Sequence, residues 1–97
     1  MLVLTTLSRL GPQHGYAIAK HIEATSGDVL RVEEGSLYPA LQRMLVKGWV
    51  TADWIWTAGN RRARVYRLTR AGRQQLEVEV SAFGRVMAAI GRVIQPA

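Results

Sequence analysis

Apolar residues recur along the chain with two different periods, and the change from one period to the other divides it into elements. Leu2, Val3, Leu4, Leu7 and Leu10 repeat at helical spacing until Gly11-Pro12, which predicts a first helix over residues 1–9. That stripe starts at residue 1, as expected where a short preceding segment is missing. A second helix is expected over Gly15–Thr25, with Ile18 and Ile22 one turn apart, Tyr16 and Ala19 beside them and Gly27 as a stop. The link from Asp28 to Glu34 is expected to form a short extended stretch. A third helix is predicted over Ser36–Lys47, with Ser36 as N-cap, Pro39 in the first turn and Gly48 as the stop. Leu37, Leu41, Met44 and Leu45 share its inner face, which turns Tyr38, Gln42 and Arg43 away from the core.

After Gly48 the period falls to two. Val50, Ala52, Trp54 and Trp56 alternate with Trp49, Thr51, Asp53 and Ile55, and Tyr66 and Leu68 alternate with Val65 and Arg67. Two strands, 49–56 and 62–68, joined through Thr57-Ala58-Gly59-Asn60-Arg61, predict a hairpin. Thr69 then caps a final helix of about 25 residues, roughly 38 Å long at 1.5 Å per residue. In it Leu76, Val80, Phe83, Met87, Ile90 and Ile94 follow the 4, 3, 4, 3, 4 spacing of a coiled-coil seam. Val78, Ala82, Val86, Ala89 and Val93 form a second apolar stripe, so two neighbours are expected, helix 1 of the same chain and a partner subunit. The predicted fold is mainly α with a small β-hairpin: a winged helix-turn-helix over residues 1–68 and a C-terminal dimerisation helix over residues 69–97.

Charge sharpens this plan. Residues 36–73 carry eight Lys or Arg (Arg43, Lys47, Arg61, Arg62, Arg64, Arg67, Arg70, Arg73) against one acid, Asp53, while the flanking segments are close to neutral, so the net charge of +6 comes from one segment. So local a positive patch fits a polyanion, here double-stranded DNA. The third helix offers Ser36, Tyr38, Gln42, Arg43 and Lys47. Gln42 suits adenine by its donor and acceptor pattern, Arg43 suits guanine or phosphate, and Lys47 suits phosphate. Tyr38 has two readings, a hydroxyl on phosphate or a ring packed under the hairpin. Asn60, Arg61, Arg62 and Arg64 in and after the turn suit a minor groove or phosphates, and Arg67, by alternation, faces the last helix. Arg70 and Arg73 oppose the dipole of the last helix, which favours an anionic partner for them.

Other chemistry finds no residues to carry it. His14 and His21 stand seven apart without a supporting carboxylate, and Glu33-Glu34 is read as stabilising the start of the third helix. There is no nucleophile and base pair, phosphate loop or metal-ligand cluster, so no enzyme, cofactor or metal is expected. With no Cys there is no disulfide framework, and no apolar run reaches the roughly 20 residues of a membrane span, which fits a cytoplasmic protein that does not enter membranes. A winged helix that binds an acidic protein partner, with no DNA, is the competing reading.

The segments LGPQHGYAIAKHIE (10–23), VEEGSLYPALQRMLVKGWV (32–50) and RRARVYRLTRAGR (61–73) together make the chain resemble the PadR family of bacterial transcriptional regulators. The resemblance implies a winged helix-turn-helix, a homodimer joined through the C-terminal helix, and repression of nearby genes relieved by a small-molecule effector or signal. The chain departs from relatives in starting flush with the first helix and in having a short C-terminal helix without Trp, so the binding of flat aromatic drugs between subunits is not carried over.

Overall fold

The computed structural model describes residues 1–96. It contains α1 (Leu2–Leu10), β1 (Gln13–His14), α2 (Gly15–Thr25), α3 (Glu34–Val46), β2 (Val50–Trp56), β3 (Arg62–Leu68) and α4 (Arg70–Ile94). The strands form one antiparallel sheet in the order β1-β3-β2. This is a winged helix: three helices backed by a small sheet, followed by one long helix.

The core is built where the helical stripes meet the inner face of the sheet. Leu4, Leu7, Ile18, Leu41 and Val50 are buried, and Tyr66 reaches in from β3 to join them. Thr6, the buried polar side chain, is satisfied by its own helix, since its Oγ1 donates to the Leu2 carbonyl at 2.9 Å. The body is small and α4 projects from it. The extents are 61 × 29 × 22 Å and the radius of gyration is 15.7 Å, against about 12.5 Å for a compact chain of this length.

Two predicted details change. The third helix starts at Glu34, not at Ser36, so Ser36 lies inside the first turn and caps nothing. Glu33 is the N-cap, in extended conformation and without a side-chain bond to the helix. Pro39 therefore stands one turn deeper than expected, where its missing N–H leaves the Gly35 carbonyl without its helical donor. The start is set from outside the helix, because the Glu23 carboxylate accepts the Val32 N–H at 3.1 Å and fixes the link before it. That link holds no strand. The third strand lies instead at Gln13–His14, paired with Tyr66 and Val65.

Where α3 ends, the Gly48 N–H donates to the Leu45 carbonyl (3.1 Å) and the Trp49 N–H to the Met44 carbonyl (2.9 Å), with Gly48 at φ 74°. These are the paired bonds of a left-handed helix stop, which glycine adopts without strain. The predicted cap of α4 is present: Thr69 Oγ1 accepts the Gly72 N–H at 3.0 Å and donates to the Gly48 carbonyl at 2.6 Å. The Thr69 N–H donates to the Trp49 carbonyl at 3.1 Å. Gly72 is buried at this crossing, and a Cβ built on it would collide with the Trp49 carbonyl oxygen.

Two stability experiments follow from these local facts. Gly72→Ala should lower the unfolding free energy by about 1 to 3 kcal/mol because the methyl has to displace backbone. Gly35→Ala, which meets open space on a helix, should leave it unchanged or raise it by up to about 1 kcal/mol. Urea titration at fixed protein concentration checks both, and equal behaviour of the two variants would contradict the packing described. By the same measurement Thr69→Ala should cost about 1 kcal/mol as a lost cap, whereas Ser36→Ala should stay within about 0.5 kcal/mol of the parent.

Candidate nucleic-acid interface

The outer face of α3 follows from its inner one. With Leu37 and Leu41 buried and about 100° between successive residues, Pro39, Arg43 and Val46 fall along the middle of the opposite side, with Gln42 on one flank and Ser36 and Lys47 on the other. Ser36, Gln42, Arg43 and Lys47 are all exposed. Val46 is 79% exposed, an apolar side chain in an otherwise polar field that sequence analysis did not single out; its exposure could have been read from the same helical spacing. Tyr38 sits at the edge of this face. Its ring packs on Gly15 at the start of α2, where a Cβ would lie 3.0 Å from Cε1, and not under the hairpin. The hydroxyl end of the ring takes part in this packing, and Tyr38 as a whole stays 44% exposed.

Gly48 turns the chain directly from α3 into the wing. The five residues after β2 close through Thr57, whose N–H and hydroxyl both donate to the Arg61 carbonyl (2.8 and 3.1 Å). Asn60 takes the left-handed conformation, φ 56°, that the tight return requires and that Asn tolerates better than most residues. This gives Asn60 a structural task; its side chain and that of Arg61 are exposed at the tip.

Register decides what the remaining arginines face. Val50 pairs with Leu68, Ala52 with Tyr66, Trp54 with Arg64 and Trp56 with Arg62. The alternation anticipated in the sequence therefore holds, but only its inner half is core: Val50 and Tyr66 are buried, whereas Trp54 is 58% and Trp56 70% exposed. On this face the Arg62 guanidinium lies 4.8 Å from the Trp54 ring centre. The Arg64 guanidinium lies 5.9 Å from Trp54 and 5.7 Å from Tyr66. Lys47 is held in the same way, 5.0 Å above the ring of Trp49.

None of these cations is neutralised from within. Among the described residues the ion pairs are Lys20 with Glu23 and the amino group of Met1 with Glu79, so the eight basic side chains of residues 36–73 keep their field. Arg67 lines a shallow hollow with Leu7, Pro12 and Arg73, beside the start of α4 as alternation implied. His14 caps α2, its Nδ1 accepting the Ala17 N–H at 3.3 Å, and His21 meets the Thr25 hydroxyl at 3.4 Å. No group of His, Asp or Glu among the described residues is arranged to hold a metal ion, and no helix is long and apolar enough to cross a membrane.

Along α4, Leu76 is packed against the core, while Val80, Phe83, Met87, Ile90 and Ile94 are between 43% and 75% exposed. Open apolar grooves flank Leu2 of α1, one against the end of α2 (Thr5, Ile22, Leu30) and one of about 300 Å³ against α3 (Val3, Val32, Leu37).

The model of the Transcriptional regulator PadR-like family matches residues 3–78. An uncharacterised 37.1 kDa protein of transposon TN4556 from Streptomyces fradiae is 42% identical over all 97 residues, and the chain spans a quarter of that relative's length. A transcriptional regulator from Clostridium thermocellum superposes with a TM-score of 0.88 at 21% identity, over 97% of this chain and 90% of its own. A PadR family transcriptional regulator from Eggerthella lenta gives 0.80 at 27% identity, over 99% and 83%. Bacillus subtilis PadR in complex with operator DNA gives 0.72 at 24% identity, over 81% of this chain and 44% of that one.

Proposed function

We propose that this chain, which belongs to the PadR-like family of transcriptional regulators, is a sequence-specific repressor that binds double-stranded DNA as a homodimer. The observation that carries the reading is the unneutralised cationic surface of α3 and the wing, two adjacent elements whose outward side chains are polar or basic. A relative of the same fold has been solved on operator DNA, which supports it. In this reading residues 1–68 form the DNA-binding unit and residues 69–97 the dimerisation unit, and the protein works in the cytoplasm.

The division of labour follows from chemistry. Gln42 and Arg43, on a helix narrow enough for the major groove, meet base edges; Ser36, Tyr38 and Lys47 flank them within reach of phosphates. Asn60, Arg61, Arg62 and Arg64 on the wing follow the phosphate rails or a narrow minor groove, where guanidinium charge counts more than base identity. Helix 3 supplies choice of sequence and the wing supplies affinity.

The homodimer rests on the bare seam of α4. Burying Val80, Phe83, Met87, Ile90 and Ile94 at about 1.5 to 3 kcal/mol each exceeds the lower range of association costs. A two-fold dimer presents two copies of α3, so the operator is an inverted repeat with half-site centres about 34 Å or a multiple apart. A small effector acts by favouring one arrangement of the two α4 helices, and the grooves beside α1 are apolar sites at which it could do so.

Replacing Phe83 with Asp and Met87 with Lys together should give monomer or unfolded chain in light scattering; a well-folded dimer would place the seam elsewhere. Arg61→Ala should weaken operator and random duplex alike and flatten the log–log salt dependence by about 0.9 per lost phosphate contact in each subunit. Gln42→Ala should leave random-duplex binding nearly intact and lose about 1 to 3 kcal/mol of discrimination at one base pair per half-site. Titrations at several salt concentrations separate these, and equal losses on both duplexes for the Gln42 variant would end the assignment.

A further inference from the structure

The wing arginines are not equivalent, and the difference is made by one side chain. We infer that Trp54 is the positioning residue of the wing: it stacks Arg62 and Arg64 so that their N–H edges are presented to the phosphodiester backbone of a duplex. This deepens the DNA-binding reading above and rests on it. Trp54 stands directly across the sheet from Arg64 and diagonally from Arg62, with the two guanidinium groups 5.9 and 4.8 Å from its ring centre. Arg64 also lies over the Tyr66 ring, 5.7 Å from its centre. Tyr66 is itself buried and paired with Gln13 of β1. The result is a column, Tyr66, Arg64, Trp54, Arg62, running from the core toward the tip of the hairpin.

Stacking and phosphate binding use different parts of a guanidinium. The ring takes the flat face, while the five N–H donors lie in the plane and stay free for a bidentate anion. An arginine so held is already ordered when DNA arrives and loses less side-chain freedom on binding. No acid competes for these donors: Asp53, adjacent in the strand, points to the opposite face and pairs across from Val65. Arg61, in the turn, has no ring partner among the described residues. The column is a feature of this face and not of every wing cation.

Binding of the full chain to a random-sequence duplex of about 30 base pairs measures the term directly, since phosphate contacts are independent of sequence. Trp54→Leu keeps apolar bulk but removes the π face, and should raise the dissociation constant about fivefold with the unfolding midpoint retained; Trp54→Tyr should restore most of the loss. In a background of Arg62→Ala and Arg64→Ala, Trp54→Leu should add no further loss, because nothing remains to be positioned. An equal loss in both backgrounds would overturn the inference by showing that Trp54 touches the duplex itself or supports the hairpin alone, and no loss from Trp54→Leu in the parent would overturn it as well. A parent protein that bound no duplex would instead sink the DNA-binding reading and this inference with it.

Discussion

Everything outside the core hangs on the crossing of Thr69 and Gly72 over Gly48 and Trp49. One hydroxyl both donates to the Gly48 carbonyl and accepts the Gly72 N–H, and the Thr69 N–H closes on the Trp49 carbonyl. These bonds join the end of α3, the start of β2, the end of β3 and the start of α4 within a few ångströms. The crossing is possible only because Gly72 brings no Cβ against the Trp49 carbonyl. The helix that faces outward, the wing and the long helix are therefore joined at one crossing, through the Thr69 hydroxyl and one backbone bond. A rotation of α4 carries α3 and the wing with it, which is the mechanical link that any control acting on α4 requires.

The division between core and surface has the same origin. The sheet is inward only as far as Ala52 and Tyr66; beyond that pair the hairpin leaves the body, and the face that was core becomes solvent-exposed without changing its alternation. Aromatic residues continue along it as Trp54 and Trp56, where burial no longer gives them a purpose. Stacking against Arg62 and Arg64 does. On α4 the pattern also outruns the body: Leu76 packs against the core, and the equivalent positions from Val80 onward stand outside it, 43% to 75% exposed.

Much of this was legible in the sequence, and the misses have physical causes. The ends of α2 and β3 and the cap of α4 follow from strong local signals, a glycine stop, period-two alternation and a threonine cap. The start of α3 was misplaced because Ser36 is an intrinsically good cap, whereas the actual start is fixed by the Glu23 carboxylate nine residues from the Val32 N–H it holds. A tether of that kind leaves no periodic trace. β1 is two residues long, too short to show any period. The candidate side chains on α3 and the wing could be named from spacing and charge, but spacing gave no account of Tyr38 on Gly15. The column on Trp54 was recoverable in principle: once Trp56 and Arg62 flank the turn, counting back pairs Trp54 with Arg64. What counting could not give is the diagonal reach of Arg62 onto the same ring, which depends on the twist of the ribbon.

The arrangement also implies a balance between stability and binding. Arg61, Arg62 and Arg64 are crowded on a hairpin with no acid paired to them among the described residues, so they repel one another in the free protein. Ion pairs within the chain would relieve that repulsion, but each would occupy the donors a polyanion needs and would have to be broken on binding. An aromatic ring relieves part of it differently, by lying against the cation's face and leaving both its charge and its N–H edge intact. Tryptophan between arginines therefore accommodates two requirements that an acid could not meet together: a folded wing in the absence of DNA and an unspent positive field in its presence.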